Sequence, residues 1–263
     1  MSRHQYEVVC LQSLNCPPGR LPRLERYYYP PVVGPVSPTG KVMTCIYVRH
    51  NVLFSNTPNT TGPPNGYTCG VKVRVQGQSD LTVLNCYTPK TCTSFDWLTE
   101  LGGKGRCLVT GDFNVRDSSW ERDNESSSPS LTAQTDNSDF IVLNDGSFIR
   151  IPVLNDGSFT RIPVLNDGSF TRIPDRSDHR PSAIDLTLVT PDTASSVKWE
   201  VGTDSLSSDH LPITVSFVFS AEKETPVTTS LLSYDLANWD LFGSLLGAAE
   251  INVGEADRDE VNR

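Results

Sequence analysis

The tightest constraint on this chain is its succession of short β-branched runs, each closed by glycine, proline or a polar cluster. "GVKVRVQG" (70–77) alternates, with Val71, Val73 and Val75 on one face. "LTVLNCY" (81–87) follows the short turn "GQSD", so the two runs predict a hairpin. Further strands are expected within 8–11, 41–54, 106–114, 182–190, 198–202 and 210–220. "FDWLTEL" (95–101) reads as one helical face ended by Gly102 and Gly103, and "LANWDLFGSLLGAAEI" has helical spacing. Residues 17–40 are rich in Pro, Gly and Tyr and read as a long loop. Its Tyr27, Tyr28 and Tyr29 either stack on bases or pack within the loop. Short strands, few helices and polar loops at strand ends imply layered sheets flanked by helices.

Composition bears on compartment and partner. A chain of 263 residues makes one large domain or two small ones. The seven cysteines are odd in number and form no C-x-x-C pair, which argues against a zinc site or a disulfide framework. No apolar run reaches the ~18 residues of a membrane span, and the start lacks a signal-peptide core. The expected location is intracellular, in nucleus or cytoplasm, with no membrane partner. A net charge of −9 argues at first against nucleic acid, but its distribution is uneven. Residues 1–110 hold 11 Lys+Arg against 5 Asp+Glu, and residues 111–263 hold 11 against 26. The basic half offers Arg20, Arg23, Arg26, Lys41, Arg49, Lys72 and Arg74 as phosphate contacts or as ordinary surface charges.

Three polar clusters follow apolar strands, where a packed sheet delivers them to one rim. In "GDFN" (111–114), Asp112 and Asn114 are two apart and point the same way in extended chain, offering a base and an amide donor. Alone, the cluster is a weak signal, because Asp and Asn beside Gly are usually turn chemistry. In "SAIDLTLV", Asp185 sits inside a strand pattern, where Asp is disfavoured. It either faces solvent or is buried with a partner. A histidine partner would be oriented by it and favoured as the cation. "SSDHLPITV" (207–215) places Asp209 and His210 just before an apolar strand.

"NCYTP", "GDFN", "SAIDLT" and "SSDH", in this order at strand ends, resemble the endonuclease/exonuclease/phosphatase superfamily. The match is nearer to the apurinic-type endonuclease domain of LINE-like non-LTR retrotransposons, over residues 6–220. The resemblance implies an α+β, DNase I-like four-layer αββα sandwich spanning 1–220. Residues 221–263 would then be a linker and helical tail leading to a reverse transcriptase in cis. It implies DNA nicking by phosphodiester hydrolysis with Mg²⁺, or Mn²⁺ in its place, and no organic cofactor. Asp112 would deprotonate the attacking water, His210 would contact the scissile phosphate, and Asp185 would hold His210. Asn114 and Tyr87 would bind phosphate oxygens, Asp209 would sit at the metal side, and Ser182 and Thr171 would give supporting polar contacts. Two departures stand out. The family's first, Asn-bearing strand has no counterpart here, which predicts an exposed sheet edge or a gap in a core layer. Ser13 occupies the position of the family's metal-binding Glu. A neutral hydroxyl is a poor substitute, so the expectation is an impaired enzyme. A catalytically dead remnant that binds DNA weakly is the alternative. A phosphatase or sphingomyelinase-like member of the superfamily is a second.

Residues 142–174 repeat one eleven-residue unit three times, differing only at Ile149, Thr160 and Thr171. Each unit holds Asn-Asp-Gly and Pro, which exclude a continuous helix and suggest a hairpin turn. By the resemblance, one unit fills a structural slot and the other two are a tandem duplication. "VLND" of the first and "SFTRIP" of the last are expected nearest the core, with 153–163 looped out.

Overall fold

The computed structural model describes residues 6–57, 62–89, 94–102, 104–116, 140–143, 149–152, 159–162, 170–173, 181–205 and 208–223. All lie in the first of two units into which the chain divides, Met1–Glu224 and Thr225–Arg263. The helical tail expected after residue 224 falls outside the described residues.

The strands are β1 (Val8–Cys16), β2 (Val32–Val33), β3 (Val42–Val48), β4 (Phe54–Asn56), β5 (Tyr67–Val73), β6 (Leu81–Tyr87) and β7 (Cys107–Asp112). They continue with β8 (Ile141–Val142), β9 (Ile149–Pro152), β10 (Phe159–Ile162), β11 (Asp185–Val189), β12 (Val197–Val201) and β13 (Ile213–Phe217). Helix α1 (Trp97–Gly102) connects β6 to β7, and α2 (Pro191–Ala194) is a single turn before β12.

A six-stranded sheet has the order β4-β5-β6-β7-β11-β8. Its hairpin is the one legible in the sequence, with Val73 opposite Leu81 and Tyr67 opposite Tyr87. β6 and β7 pair in parallel, which requires a crossover, and α1 lies within it. A second sheet, β1-β3-β2, packs on this one, and β12-β13 form a further pair. Three apolar clusters separate the layers. Ile46, Val48, Val71, Val73, Val83 and Trp199 fill the space between sheets. Leu84, Val109, Leu186 and Leu188 pack on the other face against Phe95, Trp97 and Leu98 of the α1 region. Val42, Cys45 and Tyr47 take Leu21, Leu24 and Tyr27 on the outer face of β3, so among the described residues the 17–40 loop covers that side. Of the tyrosine run, Tyr27 belongs to this packing and meets Tyr47 edge-on at 6.5 Å, while Tyr28 joins the cluster between the sheets and meets Phe54 at 5.6 Å. Buried Asn85 of β6 ties the two sheets together, donating from Nδ2 to the carbonyls of Leu11 and Cys45, both at 2.9 Å.

β11 departs from simple alternation. All five of its residues are buried, because both faces of the sheet are covered there. The solvated reading of Asp185 is thereby overturned.

Among the described residues, β1 is bonded to β3 on one side only, and β13 to β12 on one side only. Both border an open groove of about 1370 Å³ that runs to the polar strand ends, floored by Val73, Val83 and Leu108. Cys10, Cys16, Cys45, Cys69, Cys86 and Cys107 are free thiols.

The repeat divides among three places. Val142 and Leu143 of the first unit are buried in the core. Thr171 of the last unit is fully buried. Between them β9 and β10 pair with each other, Phe159 opposite Pro152 and Ile162 opposite Ile149, in a two-stranded sheet of their own. The hairpin therefore takes one strand from the first unit and one from the second.

Candidate active site

Strand register alone assembles the core of the site. The parallel β6–β7 ladder sets Tyr87 beside Asp112. The antiparallel β7–β11 ladder sets Asp112 beside Asp185. Three polar residues thus stand in a row across three neighbouring strand ends. Gly111 makes this row possible. Its φ of +149° and its approach to β6 leave no room for a side chain: a Cβ there would lie 1.8 Å from the Cys86 carbonyl oxygen.

His210 closes the row. Its Nδ1 lies 3.0 and 2.8 Å from the two carboxylate oxygens of Asp185. Burial works against the imidazolium, but the Asp185 bond and the charges of Asp185, Asp112 and Asp209 prevail and raise its pKa. Asp112 is only 6% exposed. Burial, helped by the charge of Asp185, pushes its pKa up to about 7, against the pull of His210 and the Asn114 hydrogen bonds. A carboxylate poised there exchanges protons near neutral pH.

Supporting groups surround this centre. The backbone N–H of Asp185 donates to Oγ1 of Thr171 at 3.1 Å. Ser182 lines the groove, and its buried Oγ has no hydrogen-bond partner among the described residues. Asn114 departs from the expected extended geometry. The strand ends at Asp112, and Asn114 adopts a φ of +51°. Its Nδ2 donates to the Thr88 carbonyl, while its backbone N–H donates to Oδ1 of Asp112, each at 3.0 Å. The amide therefore braces the loop, and the backbone caps the carboxylate.

Among the described residues, no group of three or more His, Cys, Asp or Glu side chains is placed to hold an ion. Asp209, expected at the metal side, has its Oδ2 bonded by Nε and Nη2 of Arg172, both at 2.9 Å. Ser13 lies in the groove on a β1 bulge with a φ of +52°, and offers only a hydroxyl. Mg²⁺ is usually bound through one or two carboxylates. Here Asp185 is committed to His210 and Asp209 to Arg172.

The family model described as Endonuclease-reverse transcriptase matches residues 81–214. That span is just over half of the chain and contains every residue of the row and its histidine. The chain belongs to this family. Among solved structures, the endonuclease domain of TRAS1, a telomere-specific non-LTR retrotransposon, aligns with a TM-score of 0.53 and 18% identity over 81% of each chain. The Xenopus laevis APE2 catalytic domain aligns with a TM-score of 0.56 and 12% identity, over 83% of this chain and 85% of its own. Both likenesses establish the DNase I-like fold of the endonuclease/exonuclease/phosphatase superfamily. A search of curated proteins finds no match.

For an endonuclease-type domain, the cations that face the groove matter most. Among the described residues they are His210, Arg116 and Arg172, and none of the seven basic residues proposed from the first half lines it. Arg26 pairs with Glu25, and Arg23 lies over the Tyr29 ring at 4.6 Å. Arg172 was hidden in the sequence because it sits inside the repeat, where three identical arginines compete for notice.

Proposed function

We propose that this chain is the DNA-nicking endonuclease domain of a non-LTR retrotransposon, acting by phosphodiester hydrolysis and impaired at its metal-binding step. The observation that carries the reading is the Asp185–His210 pair set beside Asp112 by strand register. Asp112 would take the proton of the attacking water. His210, held by Asp185, would present its other nitrogen to the scissile phosphate and offset the charge developing there. Tyr87 and Asn114 would stand at the phosphate's flank, with Ser182 and Thr171 in support. Family nucleases generally use a divalent metal ion. Ser13 and the engagement of Asp209 by Arg172 support the view that this chain binds one poorly.

A plasmid-nicking assay with Mg²⁺ tests both halves of the proposal. Restoring a carboxylate by Ser13→Glu is expected to raise nicking by at least tenfold, the lower end of what ligand-shell changes cost (~10–100-fold). Equal activity in the two proteins would overturn the impairment. Silence in both would favour the non-catalytic remnant, which would then show weak, strongly salt-dependent DNA binding.

A further inference from the structure

The last repeat unit reaches the site through two adjacent residues, Thr171 and Arg172. The backbone of Arg172 is fixed from both sides. Its N–H donates to the Ser182 carbonyl at 2.8 Å, and its carbonyl accepts from Ser182 N at 3.0 Å. Next to it, Ile173 N donates to the Asp209 carbonyl at 2.8 Å, and Leu211 N donates to the Thr171 carbonyl at 2.7 Å. The segment is thus a strap laid between the start of β11 and the His210 loop.

From this fixed backbone the guanidinium places two N–H groups on one oxygen of Asp209, Oδ2. The other oxygen, Oδ1, stands 3.9 Å from Nε2 of His210, beyond hydrogen-bonding range. That gap is notable on electrostatic grounds. A carboxylate beside an imidazole whose first nitrogen is already held by Asp185 is drawn to the second. A rotation of about 1 Å at Oδ1 would bring it into contact. Arg172, with two N–H groups on Oδ2, opposes the rotation.

We propose that Arg172 is a positioning residue that holds the Asp209 carboxylate off Nε2 of His210, keeping that nitrogen open to an anionic phosphate oxygen. The inference rests on reading the site as phosphodiester-cleaving, since an open Nε2 has a use only if an anion approaches it. The clamp itself is a property of the folded chain and is measurable without turnover.

The experiment is ¹H–¹⁵N correlation of the imidazole nitrogens in the full chain at one fixed pH, with His210 assigned by His210→Gln. Arg172→Gln is expected to shift the His210 Nε2 signal downfield as Asp209 closes onto it. Arg172→Gln combined with Asp209→Ala should return the signal to its original position. Arg172→Lys, which keeps the charge, should leave it near that of the unaltered chain and guards against a folding artefact. An Nε2 signal unmoved by Arg172→Gln, or one still shifted in the double variant, overturns the proposal. Nicking assays on the same proteins then separate it from the functional reading. If the chain nicks DNA, Arg172→Gln should lower kcat by roughly tenfold or more with little change in KM. A rise in KM with a salt dependence reduced by about one charge would mean that Arg172 binds phosphate directly, and would overturn the positioning role. Absence of nicking in every variant removes the nuclease reading while the imidazole spectra still decide the clamp.

Discussion

At the scale of single residues, the site is a contest between burial and charge, and Asp112 shows the outcome most clearly. In the unfolded chain this carboxyl titrates near its ordinary value. In the folded chain burial holds it at about 7. Between those two values the folded state carries a proton that the unfolded state has released, so stability falls as pH rises across the interval. The loss begins near pH 4 and is complete above about pH 7. Asp112→Asn removes the ionisation but keeps an acceptor for the Asn114 N–H. The variant is expected to match the unaltered chain at pH 4 and to exceed it at pH 8, with a ceiling on the order of 4 kcal/mol at ~1.4 kcal/mol per unit. Thermal melts of both proteins across this range check the sign. A difference that stays flat with pH would show that burial does not govern this carboxylate. The sequence marked Asp112, Asp185 and His210 through their neighbours, because Asp112 follows an apolar run, Asp185 sits inside one and His210 stands just before one. It could not reveal that Asn114 leaves the extended chain for a left-handed backbone, with its amide on the Thr88 carbonyl.

At the scale of elements, what matters is that strand register and side-chain chemistry agree. Alternation in 70–77 and 81–87 was sufficient to place a hairpin, and the pairing of Val73 with Leu81 follows from the turn between them. The pairing of β7 with both β6 and β11 was not legible, because it joins segments separated by a helix or by the repeat. Gly111 is the residue on which that three-strand junction depends. Its positive φ is one that other residues rarely adopt, and the Cys86 carbonyl occupies the space of a side chain. Gly111→Ala is therefore expected to destabilise the fold by about 2 kcal/mol or more, since both backbone strain and a backbone clash act together. The test is denaturant unfolding with the slope held constant, together with far-ultraviolet circular dichroism to follow the sheet. A loss of less than ~0.5 kcal/mol, the scale of an ordinary surface change, would mean that β6 and β7 can separate without consequence.

At the scale of the whole molecule, the described architecture is a sandwich bordered by two strands bonded on one side only, with a repeat threaded through one connection. The repeat lies between two fixed points. Leu143 is held in the core, and the Thr171–Arg172 strap is held against Ser182 and Asp209. About 26 residues, 144–169, separate Leu143 from Phe170. Part of that length is spent on β9 and β10, which pair only with each other among the described residues. One unit would need to supply only the two anchors. Deleting residues 146–167 leaves a single unit and joins Asp145 directly to Gly168. It shortens the connection to about four residues and preserves every anchored side chain. Loop-closure entropy scales with the logarithm of length, so this change alone is worth about 1–2 kcal/mol in favour of the shortened chain. The expected outcome is a protein that melts several degrees higher, with the His210 imidazole signals unchanged. A large loss of stability would show instead that Leu143 and the strap stand too far apart for one unit to bridge. In that case the extra copies would be structural members of the domain, and the hairpin they form would be part of its folding unit.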